Sequence, residues 1–381
     1  MVTRRQFLPS SLVFGAHLTL RPSDSIGQGP SLGPSARSSG FRMPLESERH
    51  ARTFMQWPSR TAIYGSAKAL EAVRSSIALI ASTIAKFEPV VMLARPDQKA
   101  AVRKSLGTGI DVWPIATEDL WCRDSGPTFV RSASGELAVA ELNFNGWGNK
   151  QSHHDDGRIA SRVAENIGLK LFNSGVVGEG GGVETDGAGT LLAHESCWVN
   201  KNRNRGSKEA IEARLLDALG GQKMIWAPGV KGEDITDYHI DALARFVKPG
   251  QVLIQLPRKK TDGDPWSVSA FETYDILKRA KDASGRSLDI VVVAEPDPSR
   301  VRSVKTDFVS SYVNYYVCNG AVISAEFGND RQDMAAASIL RQLYPGREVV
   351  SLNIDPIGEA GGGIHCATQQ QPVGMAAPQR Q

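Results

Sequence analysis

Apolar residues recur at intervals of three and four in five stretches of the chain, 66–87, 156–169, 207–219, 267–283 and 330–343, and this spacing predicts five helices. Each is followed by a short strand-like run, at 89–93, 169–172, 223–227, 288–294 and 347–352. Between these units, paired extended runs flank a glycine turn: 127–130 and 137–142 across Gly135, 182–185 and 190–194 across Gly189, 240–246 and 251–256 across Gly250, and 309–317 and 321–325 across Gly320. Glycine suits such turns because hairpins often need a positive φ. The turn glycines lie roughly 50 to 70 residues apart. A strand–strand–helix–strand unit repeated about five times predicts an α/β fold assembled radially or as a solenoid. No linker-like composition divides the chain after residue 41, so one closed repeat structure over 41–375 is expected rather than two domains, with 376–381 as a disordered tail.

Residues 1–40 break the pattern. Arg4 and Arg5 precede a mainly apolar stretch from Phe7 to Leu20 and then a spacer rich in Pro, Gly and Ser. This resembles a twin-arginine export signal followed by a flexible segment, and predicts a periplasmic or secreted protein. A plain extension on a cytoplasmic protein is the alternative. Beyond residue 20 no apolar run approaches the roughly 20 residues that cross a bilayer.

Composition narrows the function. A net charge of +3 and 22% charged residues lack the basic surplus of a nucleic-acid binder, while 41% hydrophobic residues supply a core. The four cysteines, Cys122, Cys197, Cys318 and Cys366, are far apart and include no Cys-x-x-Cys pair. That excludes a zinc ribbon, a thioredoxin-type site and a disulfide framework, and leaves free thiols, one of them a candidate nucleophile.

Polar residues gather ahead of the hairpins. Asp124 lies eleven residues before Gly135, Glu179 ten before Gly189 and Asp241 nine before Gly250. Acids at matching places in a radial repeat converge on its axis. His239 and Asp241 are two apart and share a face if that segment is extended. His365 and Cys366 are adjacent and would point oppositely, so His239, from another unit, is the better partner for the thiol. Glycine triplets at 180–182 and 361–363 allow close backbone approach to a ligand. His153-His154-Asp155-Asp156 looks like a metal-ligand run but leads into a helix, where aspartate capping is expected. Lys201-Asn-Arg-Asn-Arg205 carries no stacking aromatic and reads as a solvated loop. Gly178-x-Gly180 lacks the third glycine of a dinucleotide loop, and no phosphate-binding or zinc-protease motif occurs.

A cysteine, a histidine and three carboxylates make a nucleophilic site for a cation. A protease needs one acid to orient its histidine, and three would repel an oxyanion. A planar guanidinium explains the surplus, because carboxylates match its fork of N–H donors. Acids around Cys366 should disfavour its thiolate until a cation binds, so activation by the substrate is expected.

The segments Trp-Cys-Arg-Asp124-Ser-Gly-Pro-Thr, Phe-Asn-Gly-Trp-Gly148, Glu179-Gly-Gly-Gly, His239-Ile-Asp241 and Gly-Gly-Gly-Ile-His-Cys366-Ala-Thr-Gln-Gln resemble the agmatine deiminase and bacterial peptidylarginine deiminase family. Ser-Tyr-Val-Asn-Tyr-Tyr316 and Glu-Phe-Gly328 resemble its further landmarks, and the likeness runs from about residue 41 to 373. The resemblance implies a pentein fold, a five-bladed α/β propeller of ββαβ repeats with pseudo-five-fold symmetry. It also implies a reaction without metal or other cofactor, through a covalent thiouronium on cysteine.

Carried over, Cys366 resembles the nucleophile, His239 the general acid/base, and Asp124 and Asp241 the guanidinium-binding carboxylates. Glu179 resembles the acid that braces histidine or substrate, and Trp121 a pocket wall. Agmatine deiminases typically follow Glu-Gly-Gly with Ser-Ile-His, where this chain has Gly182-Val183-Glu184. Hydrolysis of agmatine to N-carbamoylputrescine and ammonia leads. Free or peptidyl arginine, amidino transfer, an inactive guanidino-ligand binder and an unrelated Cys/His amidase remain open.

Overall fold

The computed structural model describes residues 33–305 and 307–376. The Arg4-Arg5 leader and the end of the tail lie outside them. Residues 35–40, read from sequence as part of a flexible spacer, form a turn docked on the body: Ala36 is buried and the Arg37 amide donates to Asp217 O at 3.0 Å.

The fold is mixed α/β with five separate sheets. Four contain the expected hairpins, all antiparallel: Thr128–Ser132 with Glu136–Glu141, Val183–Thr185 with Thr190–His194, Ala244–Lys248 with Gln251–Leu256, and Tyr316–Val317 with Ala321–Ala325. After each hairpin a helix returns the chain to a third strand, parallel to the second. These third strands are Lys170–Asn173, Lys223–Ala227, Asp289–Ala294 and Glu348–Leu352. The crossover helices Lys208–Leu219, Pro265–Arg279 and Asp330–Leu343 each open with a side-chain cap, from Ser207, Asp264 and Asn329.

The fifth sheet joins the two ends of the chain. His50–Gln56 pairs antiparallel with Thr368–Pro372 and parallel with Val90–Leu93, reached through helix Ala67–Ile84. That helix is capped by Ser66 and buries Leu70, Val73, Ile77, Ile80, Ala81 and Ile84 along one stripe, as its spacing predicts. The fifth hairpin is thus assembled from strands more than 300 residues apart in sequence. Phe41–Arg42 and Met375–Ala376 add further edge strands to the sheet of Thr128–Ser132.

Several local expectations are corrected. Residues 240–242 form a 3-10 turn rather than strand, and the first strand of that sheet starts at Ala244. Strand 309–317 shrinks to Tyr316–Val317. Helix Lys99–Leu106 and strand Ile110–Trp113 were not anticipated; that helix buries only Val102, too little for a periodic signal. Asp156 does not cap its helix. Its carboxylate accepts the amides of Glu118 and Asp119 at 2.8 and 3.1 Å, and so anchors the segment leading to Trp121.

Phe54, fully buried in the strand that pairs with the C-terminal segment, packs its ring against Trp113 and Phe129. Phe54→Ala should therefore cost about 3–5 kcal/mol. A lowered denaturant midpoint checks this, and a loss under about 1 kcal/mol would place the junction elsewhere.

Candidate active site

The segment leading into the first strand of each hairpin carries the chemistry. Asp124 sits on the single turn Cys122–Ser125, Glu179 immediately before Gly180–Gly182, and His239 and Asp241 at Ile240–Ala242. Asn314 precedes Tyr316–Val317, and Cys366 precedes Thr368–Pro372. Four of these five lead-ins line a cavity of about 160 Å³, whose walls include Trp121, Asp124, His239, Asp241, Asn314 and Cys366. Five of the six residues singled out from sequence line it. Glu179 stands behind His239.

Two glycines show how tightly the groups are gathered. A Cβ on Gly181 would fall 2.7 Å from Asp124 Oδ1, 2.9 Å from His239 Nδ1 and 3.0 Å from Asp241 Oδ2. A Cβ on Gly362 would fall 2.4 Å from the Trp121 ring and 3.3 Å from Cys366 Sγ. Glycine at both places lets backbone, acids, ring and thiol share one small space.

His239 Nε2 lies 3.2 Å from Glu179 Oε2, and Nδ1 lies 3.5 Å from Asp124 Oδ1. Although that segment is not a strand, His239 and Asp241 both reach the cavity. Burial by itself would lower the imidazole's pKa, but Asp124, Glu179 and Asp241 outweigh it and lift it to about 9. Burial pushes the Asp124 carboxyl up to about 6, with His239 pulling it back. Trp147 Nε1–H donates to Asp124 Oδ2 at 2.9 Å, and the Gly181 amide donates to Oδ1 at 3.2 Å.

Asp241 Oδ2 lies 2.7 Å from His365 Nδ1, while its Oδ1 is buried with no hydrogen-bond partner among the described residues. Burial opposes ionisation here too, but His365 holds the Asp241 carboxyl below its usual value. His365 is thus no partner for the thiol: its other nitrogen contacts Glu46 Oε2 at 2.8 Å. Glu46 in turn meets Arg123 and Arg245, both at 2.9 Å. Glu184, the residue at the point of departure from the agmatine deiminase pattern, accepts from Arg245 Nε at 2.8 Å and so belongs to this buried cluster.

Cys366 Sγ is 3.7 Å from Asp241 Oδ2 and accepts from Asn314 Nδ2 at 3.2 Å. The thiol is partly exposed to the cavity, unlike Cys122, Cys197 and Cys318, which are buried. Burial raises the thiol pKa well above its ordinary value, and Asp241 and Asp124 raise it further.

The largest correction concerns the basic loop at 201–205. Arg203 is buried, not solvated; its Nε donates to both oxygens of Glu179 at 2.8 and 3.0 Å and its Nη1 to Asp237 at 2.8 Å. Burial favours protonation of Glu179, but Arg203 and His239 overcome it and hold the carboxyl below its usual value. Glu46, Asn314 and Arg203 were given no role from sequence. Asn314 stood within a quoted motif, and its place in the lead-in to a hairpin was the signal available. No group of three or more His, Cys, Asp or Glu with metal-holding geometry occurs among the described residues.

Chemically, a planar cation between Asp124 and the open Oδ1 of Asp241 would satisfy both carboxylates and face the thiol. Residues 42–372 match the Porphyromonas-type peptidyl-arginine deiminase family. The chain is similar to agmatine deiminase of Stutzerimonas stutzeri, 35% identical over 363 residues that cover 88% of this chain and 97% of that one. It is likewise similar to agmatine deiminase of Medicago truncatula, 34% identical over 368 residues with coverage of 88% and 97%. Among solved structures, agmatine deiminase of Enterococcus faecalis superposes with a TM-score of 0.82 at 28% identity, covering 90% of this chain and 98% of that one.

The surroundings of Cys366 set an expectation for its reactivity. Iodoacetamide should alkylate it slowly in the empty protein, with a pH midpoint above that of an ordinary thiol. A saturating, unreactive guanidinium compound should lower that midpoint. An unchanged midpoint in its presence would contradict activation by a bound cation.

Proposed function

The chain belongs to the Porphyromonas-type peptidyl-arginine deiminase family, and from that premise we propose that it hydrolyses the guanidino group of agmatine, releasing ammonia and N-carbamoylputrescine. The observation that carries this reading is Cys366 Sγ 3.7 Å from an Asp241 carboxylate whose other oxygen is buried with no hydrogen-bond partner among the described residues. A guanidinium supplies the missing donors and brings its carbon to the thiol. The lining favours agmatine over free arginine. It holds Asp119, Asp124, Asp234, Asp241 and Glu359, whereas its single lysine, Lys305, lies 3.1 Å from Glu359 Oε2. A second cationic end fits such a cavity, and an α-carboxylate would meet no unpaired cation among the described lining residues.

In the proposed cycle, Asp124 and Asp241 hold the guanidinium, whose charge favours loss of the Cys366 proton to solvent. The thiolate attacks the guanidinium carbon, forming the C–S bond and a neutral tetrahedral adduct. His239, protonated at rest, gives its proton to one –NH₂; the C–N bond breaks, ammonia leaves and a thiouronium remains. Neutral His239 then takes a proton from water as the oxygen attacks. Collapse of this second adduct breaks the C–S bond, returns the thiolate and releases the ureido product after loss of its extra proton. Glu179 braces His239, and Trp121 walls the pocket.

The same reading takes the five sheets as blades of one α/β propeller with pseudo-five-fold symmetry. It is supported by a site residue in the lead-in of each hairpin and by the pairing of His50–Gln56 with Thr368–Pro372.

Ammonia release should occur with agmatine, fall strongly with arginine and an arginine peptide, and vanish in Cys366→Ala. Preference for the peptide would reassign the substrate, and turnover surviving in Cys366→Ala would remove the nucleophile. The plot of kcat/KM against pH should be bell-shaped. It falls below about 6 as Asp124 gains a proton and stops holding the cation, and above about 9 as His239 loses the proton it must donate. The two limbs belong to the coupled pair. A profile still rising above pH 9 would contradict His239 as the acid.

A further inference from the structure

Immediately before His239, Asp237 and Tyr238 both adopt positive φ, 58° and 69°. Neither is glycine, and two successive side-chain-bearing residues in this region hold such a conformation only when their surroundings enforce it. The enforcement centres on Asp237. Its Oδ2 accepts from Lys150 Nζ and Arg203 Nη1, both at 2.8 Å, and from Asn202 Nδ2 at 3.3 Å. Its Oδ1 accepts the Gly232 amide at 2.9 Å, and its carbonyl accepts the Ser196 hydroxyl at 2.5 Å.

Among the described residues, Arg203 ties this turn to the histidine's hydrogen-bond partner. Nη2 donates to Thr236 O at 2.9 Å on one side of the turn, Nη1 to Asp237 within it, and Nε to Glu179, whose Oε2 meets His239 Nε2. All three nitrogens of one buried guanidinium are used. We infer that Arg203 is a positioning residue for His239, fixing in one rigid fork both the strained turn that presents the imidazole and the carboxylate that orients it.

This assignment rests on the proposed deiminase reading only in taking His239 as the proton-transfer group. A simple counter-ion for Glu179 would need only a charge, which lysine supplies; the clamp needs the planar fork, which lysine lacks. Asp124 and Asp241 receive no bond from Arg203, so guanidinium binding should be nearly independent of it.

The test uses the full-length protein with Arg203→Lys and Arg203→Gln, each confirmed folded by its thermal transition. The downfield proton resonance of the His239 ring N–H, identified by its absence in His239→Asn, reports the bond to Glu179 without any substrate. The inference expects that resonance to be lost in both variants. It also expects agmatine kcat to fall about tenfold to a hundredfold, as a displaced catalytic group costs, with KM changed less than about threefold. Combining Arg203→Lys with Glu179→Gln should lose less kcat than the product of the two single losses, because part of what Arg203 does passes through Glu179.

Wild-type kcat and an intact resonance in Arg203→Lys would overturn the inference. So would a fall in kcat with the resonance unchanged, or losses that multiply in the double variant. Were the wild type inactive on every guanidino substrate, the deiminase reading would fail while the resonance still decided the clamp.

Discussion

Three buried carboxylates gathered behind and around one cavity, with a thiol facing it, impose the constraint on which the rest of the structure depends. An uncompensated buried carboxylate is costly enough that it takes up a proton or draws in a cation. Here each acid has a different solution. Glu179 is held by Arg203, and Asp241 by His365, which leans on Glu46 and through it on Arg123 and Arg245. Among the described residues Asp124 has only His239 as a charged partner, and its carboxyl is the one of the three that burial pushes up, to about 6. Glu179 and Asp241 are therefore kept ionised by a second layer of charge that lies outside the proposed proton transfers, whereas Asp124 relies on His239 itself.

That arrangement suits a planar cation. One oxygen of Asp241 has no partner among the described residues, burial pushes the Asp124 carboxyl up, and burial together with both acids raises the thiol pKa well above its ordinary value. A bound guanidinium relieves all three conditions together: it supplies donors, balances charge and favours the thiolate. On this reading substrate affinity and nucleophile activation are one electrostatic event.

Much of this was legible in the sequence because the reacting groups are local. Asp124, Glu179, His239 and Asp241 sit just ahead of apolar hairpins, and Glu179 and Cys366 sit beside glycine triplets, so local pattern marks these places. The supporting charges were not legible. Arg203 lies in a run of basic and amide residues indistinguishable from a solvated loop, and its partners are 24 and 34 positions away. The fifth hairpin escaped for a related reason. Thr368–Pro372 reads Thr-Gln-Gln-Gln-Pro, buried throughout but without apolar alternation, and its partner is His50–Gln56 at the other end of the chain. Local pattern reveals elements that bury an apolar face; it is blind to polar segments whose burial is satisfied by distant pairing.

The central claim is that Cys366 bonds to the guanidinium carbon, and rapid acid quench of the first turnover with isotopically labelled agmatine tests it most directly. Proteolysis and mass analysis should find the label, as an amidine-bearing adduct, on the peptide containing Cys366 and on no other cysteine peptide. Burst-free turnover with every cysteine peptide unlabelled, under conditions that trap intermediates within one catalytic cycle, would contradict covalent catalysis and with it this account of the buried charges.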